Sequence, residues 1–446
     1  MGEPTLKAYH RNPVTLKEQE QTIMVKLTAP DIKKEKADLD IVFVLDVSGS
    51  MKGAKIASMK AAMKELIKNL GEKDRIAIVS FHGTVKKHHD NLTYLASDDD
   101  KKMANKIVDD LQPGGGTHIQ KGLEAGLDLL EERRQKKKVA SCIFLMTDGD
   151  ENNGSKAMNL IDRVGKHTIH TFGFGQKSNE RLLFDIASRS HVGVYHHVPN
   201  TGVKDDLQRA FGSTLAIFRT ICLLDLKVTL KASKAGGCKI LKVHPCDYKK
   251  DPDGSDGTWT IHFGDLARQE NRRILVDVSL PKASKTEETH VLDVTCTYSP
   301  PNSVSKNGNP LAVKIKRNQT ADENAPEEKQ VKRELVRRTQ ADILKQVRAL
   351  ANGGKLQEAR KQVLVARNVL SSIGNDSDDA IDSLYSELDN LDKFLASPDA
   401  YKNLGHAYLL ACISSHDRQR YAARGGEEPV DFFLTDRMRK YLGKPK

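Results

Sequence analysis

The sequence predicts a doubly wound α/β unit with a mostly parallel sheet, inserted in an antiparallel β-sandwich and followed by a small α-helical bundle. Three observations predict this order. Strand and helix patterns alternate over residues 38–218, which is typical of a parallel sheet with helices on both faces. Residues 219–320 alternate apolar and polar side chains in short runs separated by Gly, Pro, Asp and Asn, as antiparallel strands do. Apolar residues at helical spacing dominate residues 321–425.

The α/β unit opens on residues 41–47, IVFVLDV, an almost continuous apolar run of the kind found in strands that are buried on both faces. Further strands are predicted at 75–81, 139–148 and 168–174, with helical patterns between them. The stretch TVKKHH (84–89) is predicted to be a short edge strand, because lysines discourage pairing with another chain.

The N-terminal stretch QTIMVKLTAP (21–30) has the alternating pattern of the strands that follow residue 219. A single strand is not stable alone, so we expect it to pair with those later strands. Residues 1–37 are therefore predicted to contribute one strand to the sandwich. The α/β unit then becomes an insertion in that sandwich.

Three apolar stripes predict the helical bundle. They begin near Val336, Leu356 and Ile381, and the turn between the first two is predicted at Asn352-Gly353-Gly354. The chain after Arg420 is expected to be loosely ordered, with residues 426–446 as a basic tail.

The composition excludes several classes of function. The net charge of +11 is spread along the chain and aromatic residues make up only 5%, so we expect no nucleic-acid binding. No apolar run approaches the roughly 20 residues that span a bilayer, so we expect no membrane span. The first residues are polar and lack the apolar core of a signal peptide. The six cysteines are widely spaced, which favours a reducing compartment and argues against a zinc site, even at Cys238, His244 and Cys246. We therefore expect a cytoplasmic protein.

Five oxygen-bearing side chains follow predicted strands or a glycine-rich loop. Asp46 and Asp148 each end a predicted strand, Ser48 and Ser50 follow Asp46, and Thr117 follows three glycines. Ligands of parallel sheets bind outside the carboxyl ends of the strands, so neighbouring strands would bring the two acids together. Such hard oxygen donors suit Mg²⁺, with Mn²⁺ or Ca²⁺ as possible substitutes.

This donor set predicts more than metal binding. Only two of the five donors are carboxylates, and small hydroxyl ligands leave one coordination position for an outside group such as an acidic side chain. His118 and Asp150 lie beside the predicted ligands and are further candidates at the rim. The alternative is helix capping by Ser50 and Asp148, which would explain two of the five residues.

The segment DVSGS (46–50) resembles the DxSxS motif of the metal-ion-dependent adhesion site in von Willebrand factor A domains. GGGTHI (114–119) and TDGD (147–150) resemble that family's threonine loop and final aspartate. The resemblance implies that Ser48, Ser50 and Thr117 coordinate the metal directly, and that Asp46 and Asp148 act directly or through water.

The flanking segments extend the resemblance. An A domain in a β-sandwich followed by helices is similar to intracellular plant A-domain proteins, some of which carry a RING finger and act as ubiquitin ligases. It is also similar to the secreted heavy chains of inter-alpha-trypsin inhibitor. We find no RING cysteines in this sequence, so ligase activity of its own is not implied.

The leading hypothesis is an intracellular adaptor without enzymatic activity, whose metal captures an Asp or Glu carboxylate of a partner protein. One alternative is a RING-less subunit that recruits substrates to a ubiquitin-ligase complex or regulates it. Another is a metal-assisted hydrolase, which needs a general base near the ion, and His118 is a weak candidate. The sequence does not indicate which oligomeric state the protein adopts.

Overall fold

The computed structural model describes residues 2–31, 37–133, 139–149, 155–175, 179–199, 203–244, 246–254, 257–374, 378–425 and 431–442. Within these ranges, no helix is both long and apolar enough to cross a membrane.

The described strands are β1 (Thr5–Tyr9), β2 (Gln19–Thr28), β3 (Leu39–Asp46), β4 (Arg75–Phe81), β5 (Val85–Lys87), β6 (Thr93–Tyr94), β7 (Ala140–Thr147), β8 (Thr168–Phe174), β9 (Tyr195–Val198), β10 (Ile221–Ala232), β11 (Lys239–His244), β12 (Lys250–Gly254), β13 (Thr258–Ala267), β14 (Asn271–Leu280), β15 (Glu287–Ser299), β16 (Lys306–Asn307) and β17 (Leu311–Arg317). The described α-helices are α1 (Ala54–Asn69), α2 (Asp98–Asp109), α3 (Ile119–Glu131), α4 (Ile161–Val164), α5 (Glu180–Arg189), α6 (Val203–Phe218), α7 (Lys329–Asn352), α8 (Leu356–Ser371), α9 (Asp379–Phe394), α10 (Pro398–Ala400), α11 (His406–Arg418) and α12 (Asp436–Tyr441).

The central sheet has the order β5-β4-β3-β7-β8-β9 and is parallel except at β5 and the short β6, which pair antiparallel with β4. Every residue of β3 is buried, as its continuous apolar run predicts. The predicted α/β unit with a mostly parallel sheet is confirmed, and Val85–Lys87 is the edge strand.

Helices cover both faces of this sheet. Val42 and Val44 of β3 belong to a hydrophobic cluster that also contains residues of α3 and α5. Phe43 and Leu45 belong to a second cluster, which contains residues of α1, α2 and α6. Successive side chains of a strand point to opposite faces, so β3 contributes to both cores at once.

Two antiparallel sheets flank the α/β unit in sequence. One has the order β1-β2-β14-β11, and the other has the order β12-β13-β10-β15-β16, with β17 also paired to β15. β2 pairs with β14 from Gln19↔Leu280 to Thr28↔Asn271. Side chains of both sheets belong to one hydrophobic cluster. The relative orientation of the sheets, and with it the sandwich, stays a prediction.

The C-terminal helices pack on one another and on the α/β unit. α7 contacts α8, α8 contacts α9, and α11 contacts α7, α9, α5 and β9. One hydrophobic cluster therefore runs from the central sheet through α5 into α11 and the other C-terminal helices.

The chain after Arg420 differs from the loosely ordered segment that the sequence suggested. Tyr421, Ala422, Ala423 and Arg424 are buried, and the Ala423 carbonyl accepts a hydrogen bond of 2.9 Å from the amide of His197. α12 packs on α6. The physical reason is that the parallel sheet offers an open edge at β9, which this segment covers. Residues 426–430 and 443–446 of the predicted basic tail lie outside the described residues.

Residues 414–424, which we call the C-terminal strap, are buried along their length. Arg418 donates hydrogen bonds to the carbonyls of Ser188, Ser190 and Asp247. It thereby joins the α/β unit to the loop between β11 and β12.

A second strap arginine is paired through its charge. Arg420 lies 2.9 Å from the carboxylate of Glu270, and Arg272 lies 3.2 Å from the same carboxylate. Glu270 also accepts a hydrogen bond from the backbone amide of Ala267. All three side chains are at least 96% buried. Isolated buried charges are costly, so these groups depend on one another.

The strap also holds the helices. Glu387 of α9 accepts hydrogen bonds from Gln340 at 2.8 Å and pairs with His416 at 3.0 Å and with Arg424. Burial alone would raise the pKa of Glu387, but Arg424 and His416 outweigh it and hold the pKa far below its ordinary value.

We predict that Glu387→Gln strongly destabilises the protein, because it leaves Arg424 buried beside a neutral partner. Breaking a buried pair in this way costs about 3–5 kcal/mol. The matched control is Asp392→Asn in the same helix, since Asp392 pairs with Arg360 at the surface. That change should cost less than about 1 kcal/mol. Urea unfolding followed by circular dichroism measures both, and equal effects would contradict the prediction.

We also predict a pH-dependent role for Glu270. Burial raises the pKa of this carboxyl, but Arg272 and Arg420 outweigh burial and hold the pKa at about 2, against an ordinary 4.5. The ionised form therefore stabilises the fold fully above pH 4.5, and this stabilisation is lost as the pH falls towards 2. It amounts to about 3 kcal/mol.

The destabilisation caused by Glu270→Gln should accordingly shrink between pH 5 and pH 2, as the wild-type carboxyl becomes protonated. Urea midpoints measured across this range test it. Glu288→Gln serves as the control, because Glu288 is half exposed beside Lys314. A destabilisation by Glu270→Gln that stays constant with pH would refute the role of its charge.

Candidate functional site

The candidate site lies at the C-terminal ends of the parallel strands in the central sheet. Asp46 is the last residue of β3, and Asp148 follows the last residue of β7. β3 and β7 are hydrogen-bonded neighbours in parallel register. The two acids therefore lie at the same edge of the sheet, as the sequence pattern required.

Two backbone hydrogen bonds tie the glycine-rich loop to the loop that leaves β3. The amide of Gly114 donates to the Val47 carbonyl at 2.8 Å, and the amide of Gly49 donates to the Gly115 carbonyl at 3.1 Å. Gly115 has φ +73°, and a Cβ there would lie 2.9 Å from the ring of His82. Only glycine fits this turn, which carries the following residues to the site.

The hydroxyls and acids form a connected chain. The hydroxyl oxygens of Ser48 and Ser50 are 3.0 Å apart, and Ser50 donates to Asp148 Oδ1 at 2.7 Å. Asp46 Oδ1 accepts a hydrogen bond of 2.7 Å from the amide of Ser48, and its Oδ2 accepts one from the hydroxyl of Thr147.

Thr117 completes the set. A Cβ built on Gly149, the residue after Asp148, would lie 3.1 Å from the Thr117 hydroxyl and 3.7 Å from Asp46 Oδ2, so both groups lie close to the end of β7. Asp46, Ser48, Thr117 and Asp148 are buried, whereas Ser50 is exposed. The structure thus brings the five predicted residues together in one cluster, which we call the cleft, with Ser50 as its exposed member.

The cleft concentrates negative charge. Burial raises the pKa of Asp46 to about 6, although hydrogen bonds from Thr147 and Ser48 oppose the shift, and the nearby charge of Asp148 adds to it. A cation is the group that relieves such a pair of buried carboxylates. On Asp148 that cation is the ammonium of Lys55, which contacts Oδ2.

The capping alternative does not hold for Ser50. Ser50 lies in a single 3₁₀ turn, Gly49–Met51, and α1 begins after Gly53 without a side-chain cap. The side chain of Ser50 instead contacts Asp148 and Ser48. Its hydroxyl therefore belongs to the cleft.

The two rim candidates have different outcomes. His118 precedes α3 at its N-cap position, without a side-chain capping hydrogen bond, and is partly buried. Asp150 lies outside the described residues.

Sequence reasoning missed three residues of this region: Lys55, Thr147 and His82. Lys55 follows shortly after the serine motif, and Thr147 immediately precedes Asp148, so proximity in sequence was an available signal for both. Nothing in the sequence links His82 to Gly115, because that contact depends on how the loop after β4 meets the glycine-rich loop.

The donor set suits a hard divalent cation. It offers the carboxylates of Asp46 and Asp148 and the hydroxyls of Ser48, Ser50 and Thr117, and oxygen donors of this kind bind Mg²⁺. Among the described residues, no group of three or more His, Cys, Asp and Glu side chains is arranged to hold a metal. That includes the region of Cys238 and His244, where His244 is 2.8 Å from Asp277.

Comparison with family models identifies two segments. Residues 40–210 match the von Willebrand factor type A domain. Residues 378–444, which contain α9 to α12 and the C-terminal strap, match a second model described as VWA / Hh protein intein-like.

Two curated relatives match parts of the chain. It is 27% identical over 270 residues to the E3 ubiquitin-protein ligase WAV3 of Arabidopsis thaliana, covering 60% of this chain and 34% of the ligase. It is 32% identical over 161 residues to the inter-alpha-trypsin inhibitor heavy chain H3 of Bos taurus, covering 34% of this chain and 18% of the heavy chain. The chain thus spans about a third or less of the length of each relative.

The fold of nearly the whole chain recurs in a solved structure. The von Willebrand factor type A protein from Catenulispora acidiphila superposes with a TM-score of 0.72 at 16% identity, over 96% of this chain and 97% of that one. The VWA2 protein from Sulfolobus acidocaldarius superposes with a TM-score of 0.57 at 15% identity. Residues 40–210, which match the von Willebrand factor type A model, therefore have the fold of that domain, joined to further antiparallel sheets and C-terminal helices.

Proposed function

We propose that this protein is a metal-dependent protein-binding adaptor. Mg²⁺, or Mn²⁺ or Ca²⁺ in its place, would be held by Asp46, Ser48, Ser50, Thr117 and Asp148 and would coordinate an Asp or Glu carboxylate of a partner protein. The A domain, a general protein-interaction module, supports an interaction role. The single observation that carries the proposal is the convergence of two buried acids and three hydroxyls on one cleft.

The balance of charge supports an acidic ligand. The two carboxylates balance the charge of a divalent ion and the hydroxyl donors add none, so the occupied cleft carries no excess negative charge that would repel an outside carboxylate. Exposed Ser50 marks the side from which that carboxylate would approach. Lys55 contacts Asp148 and is partly exposed, so positive charge faces this side and favours an acidic partner.

We propose no catalytic step at this cleft. Asp46 is held by Ser48 and Thr147, and Asp148 is held by Ser50 and Lys55, so both acids already serve the arrangement of the cleft itself.

A second candidate function concerns ubiquitin-ligase complexes. The similarity to the ligase WAV3 covers 60% of this chain and supports a role in recruiting substrates to such a complex or in regulating it. The same cleft would then bind the substrate or a ligase subunit. A co-purification from native cells that yields no ligase component would count against this role.

We predict that Thr117→Ala weakens Mg²⁺ binding by about tenfold or more, the equivalent of ~1.4 kcal/mol, because it removes one oxygen donor. Isothermal titration of the purified chain with Mg²⁺ measures this. Thr93→Ala is the matched control, since Thr93 is exposed in β6 and pairs with Ile76, at the opposite end of β4 from the cleft. Equal affinities of the wild type and both variants would show that Thr117 is not a ligand.

We further predict that wild type and Thr93→Ala retain partner proteins from lysate only with Mg²⁺. EDTA should abolish retention because it removes the ion, and Thr117→Ala should reduce retention because it weakens the hold on the ion. A peptide from the partner should compete with the partner protein for binding. The same peptide with its acidic residue changed to the corresponding amide should not. If partner proteins were still retained in EDTA, their contact would lie outside the cleft.

A further inference from the structure

Asp148 already has a cationic partner inside the protein. Its Oδ2 contacts the ammonium of Lys55, while its Oδ1 accepts the hydroxyl of Ser50 at 2.7 Å. The Asp148 side chain is completely buried, and that of Lys55 is 23% exposed. Both oxygens of one predicted metal ligand are therefore engaged by groups of this chain.

The backbone holds Lys55 in this position. Lys55 lies in the first turn of α1, and the next residues of that helix, Ile56, Met59 and Met63, are buried in the core beneath the central sheet. The helix cannot shift without disturbing that core. The lysine side chain, in contrast, has four flexible methylene groups and reaches partly into solvent.

The electrostatics give this contact a function. A buried carboxylate without a counterion is strongly unfavourable, so Lys55 stabilises Asp148 when no other cation is bound. A divalent ion bound to Asp148 takes over that task. Two cations on one carboxylate repel each other, so the ammonium and the metal compete for Asp148.

We propose that Lys55 is the internal counterion of Asp148 and sets the metal affinity of the cleft by competing with the metal. It keeps the cleft charge-balanced without the ion, and it must leave Asp148 when the ion binds. The displaced ammonium then remains at the open side of the cleft, beside the position for a partner carboxylate. This inference rests on the proposed function of the cleft as a metal site.

The first test measures metal affinity with Mg²⁺ alone and with Mn²⁺ alone. Lys55→Met should bind both ions at least about tenfold more tightly than wild type, which corresponds to ~1.4 kcal/mol. Lys52→Met is the matched control, because it removes the same charge three residues earlier from an exposed side chain. It should bind like wild type. Isothermal titration with Mg²⁺ and the electron paramagnetic resonance of free Mn²⁺ provide the readouts.

The second test measures thermal stability with and without metal. In EDTA, Lys55→Met should melt below wild type, because Asp148 has lost its counterion. Saturating Mg²⁺ should raise the melting temperature of Lys55→Met by more than that of wild type, since tighter binding to the folded state gives a larger shift. Lys55→Gln, which keeps a polar end, repeats both measurements if Lys55→Met does not fold.

The outcomes separate this inference from the function on which it rests. Equal or weaker Mg²⁺ binding by the Lys55 variants, while Thr117→Ala still loses affinity, would overturn the role of Lys55 and leave the metal site standing. Absence of Mg²⁺ and Mn²⁺ binding in every variant, wild type included, would overturn both. Tighter binding by Lys55→Met and Lys52→Met alike would show a general charge effect and would also overturn the specific pairing.

Discussion

The buried ion pairs of the C-terminal strap are the interaction on which the rest of the structure depends. Arg420 meets Glu270 of the antiparallel sheets, Arg424 meets Glu387 of the helices, and Arg418 bonds to carbonyls of the α/β unit. Each charge is buried, so each needs its partner from another part of the chain. Docking in another arrangement would leave charges unpaired. These pairs therefore fix how the A domain, the sheets and the helices combine.

The strap also removes an exposed edge from the central sheet. Its residues bond to the backbone of β9, at Tyr195 and His197, where a parallel sheet would otherwise present unpaired amides and carbonyls. The strap bonds at β9, whereas the candidate site acids follow β3 and β7, so the strap and the acids lie on different strands of the sheet.

The cleft combines buried acids with few formal charges. Asp148 contacts Lys55 and the hydroxyl of Ser50, and that hydroxyl lies 3.0 Å from the hydroxyl of Ser48, so groups of this chain hold these oxygen donors in place. Pre-arranged donors lose little conformational entropy when a cation binds. In the role proposed for Lys55, a metal ion would displace its ammonium from Asp148, and the affinity of the site would reflect the difference between the two cations.

The sequence by itself determined the parallel α/β unit and the five candidate ligands, because buried strands are continuous apolar runs and ligand side chains follow their carboxyl ends. Periodicity and short motifs are local, and both are readable without the fold. Only the tertiary structure decided that Lys55 pairs with Asp148, that His82 meets Gly115, and that the chain after Arg420 is buried. Those facts depend on contacts between distant segments, and a charged stretch such as the strap is polar in sequence whether it is solvated or paired inside the protein.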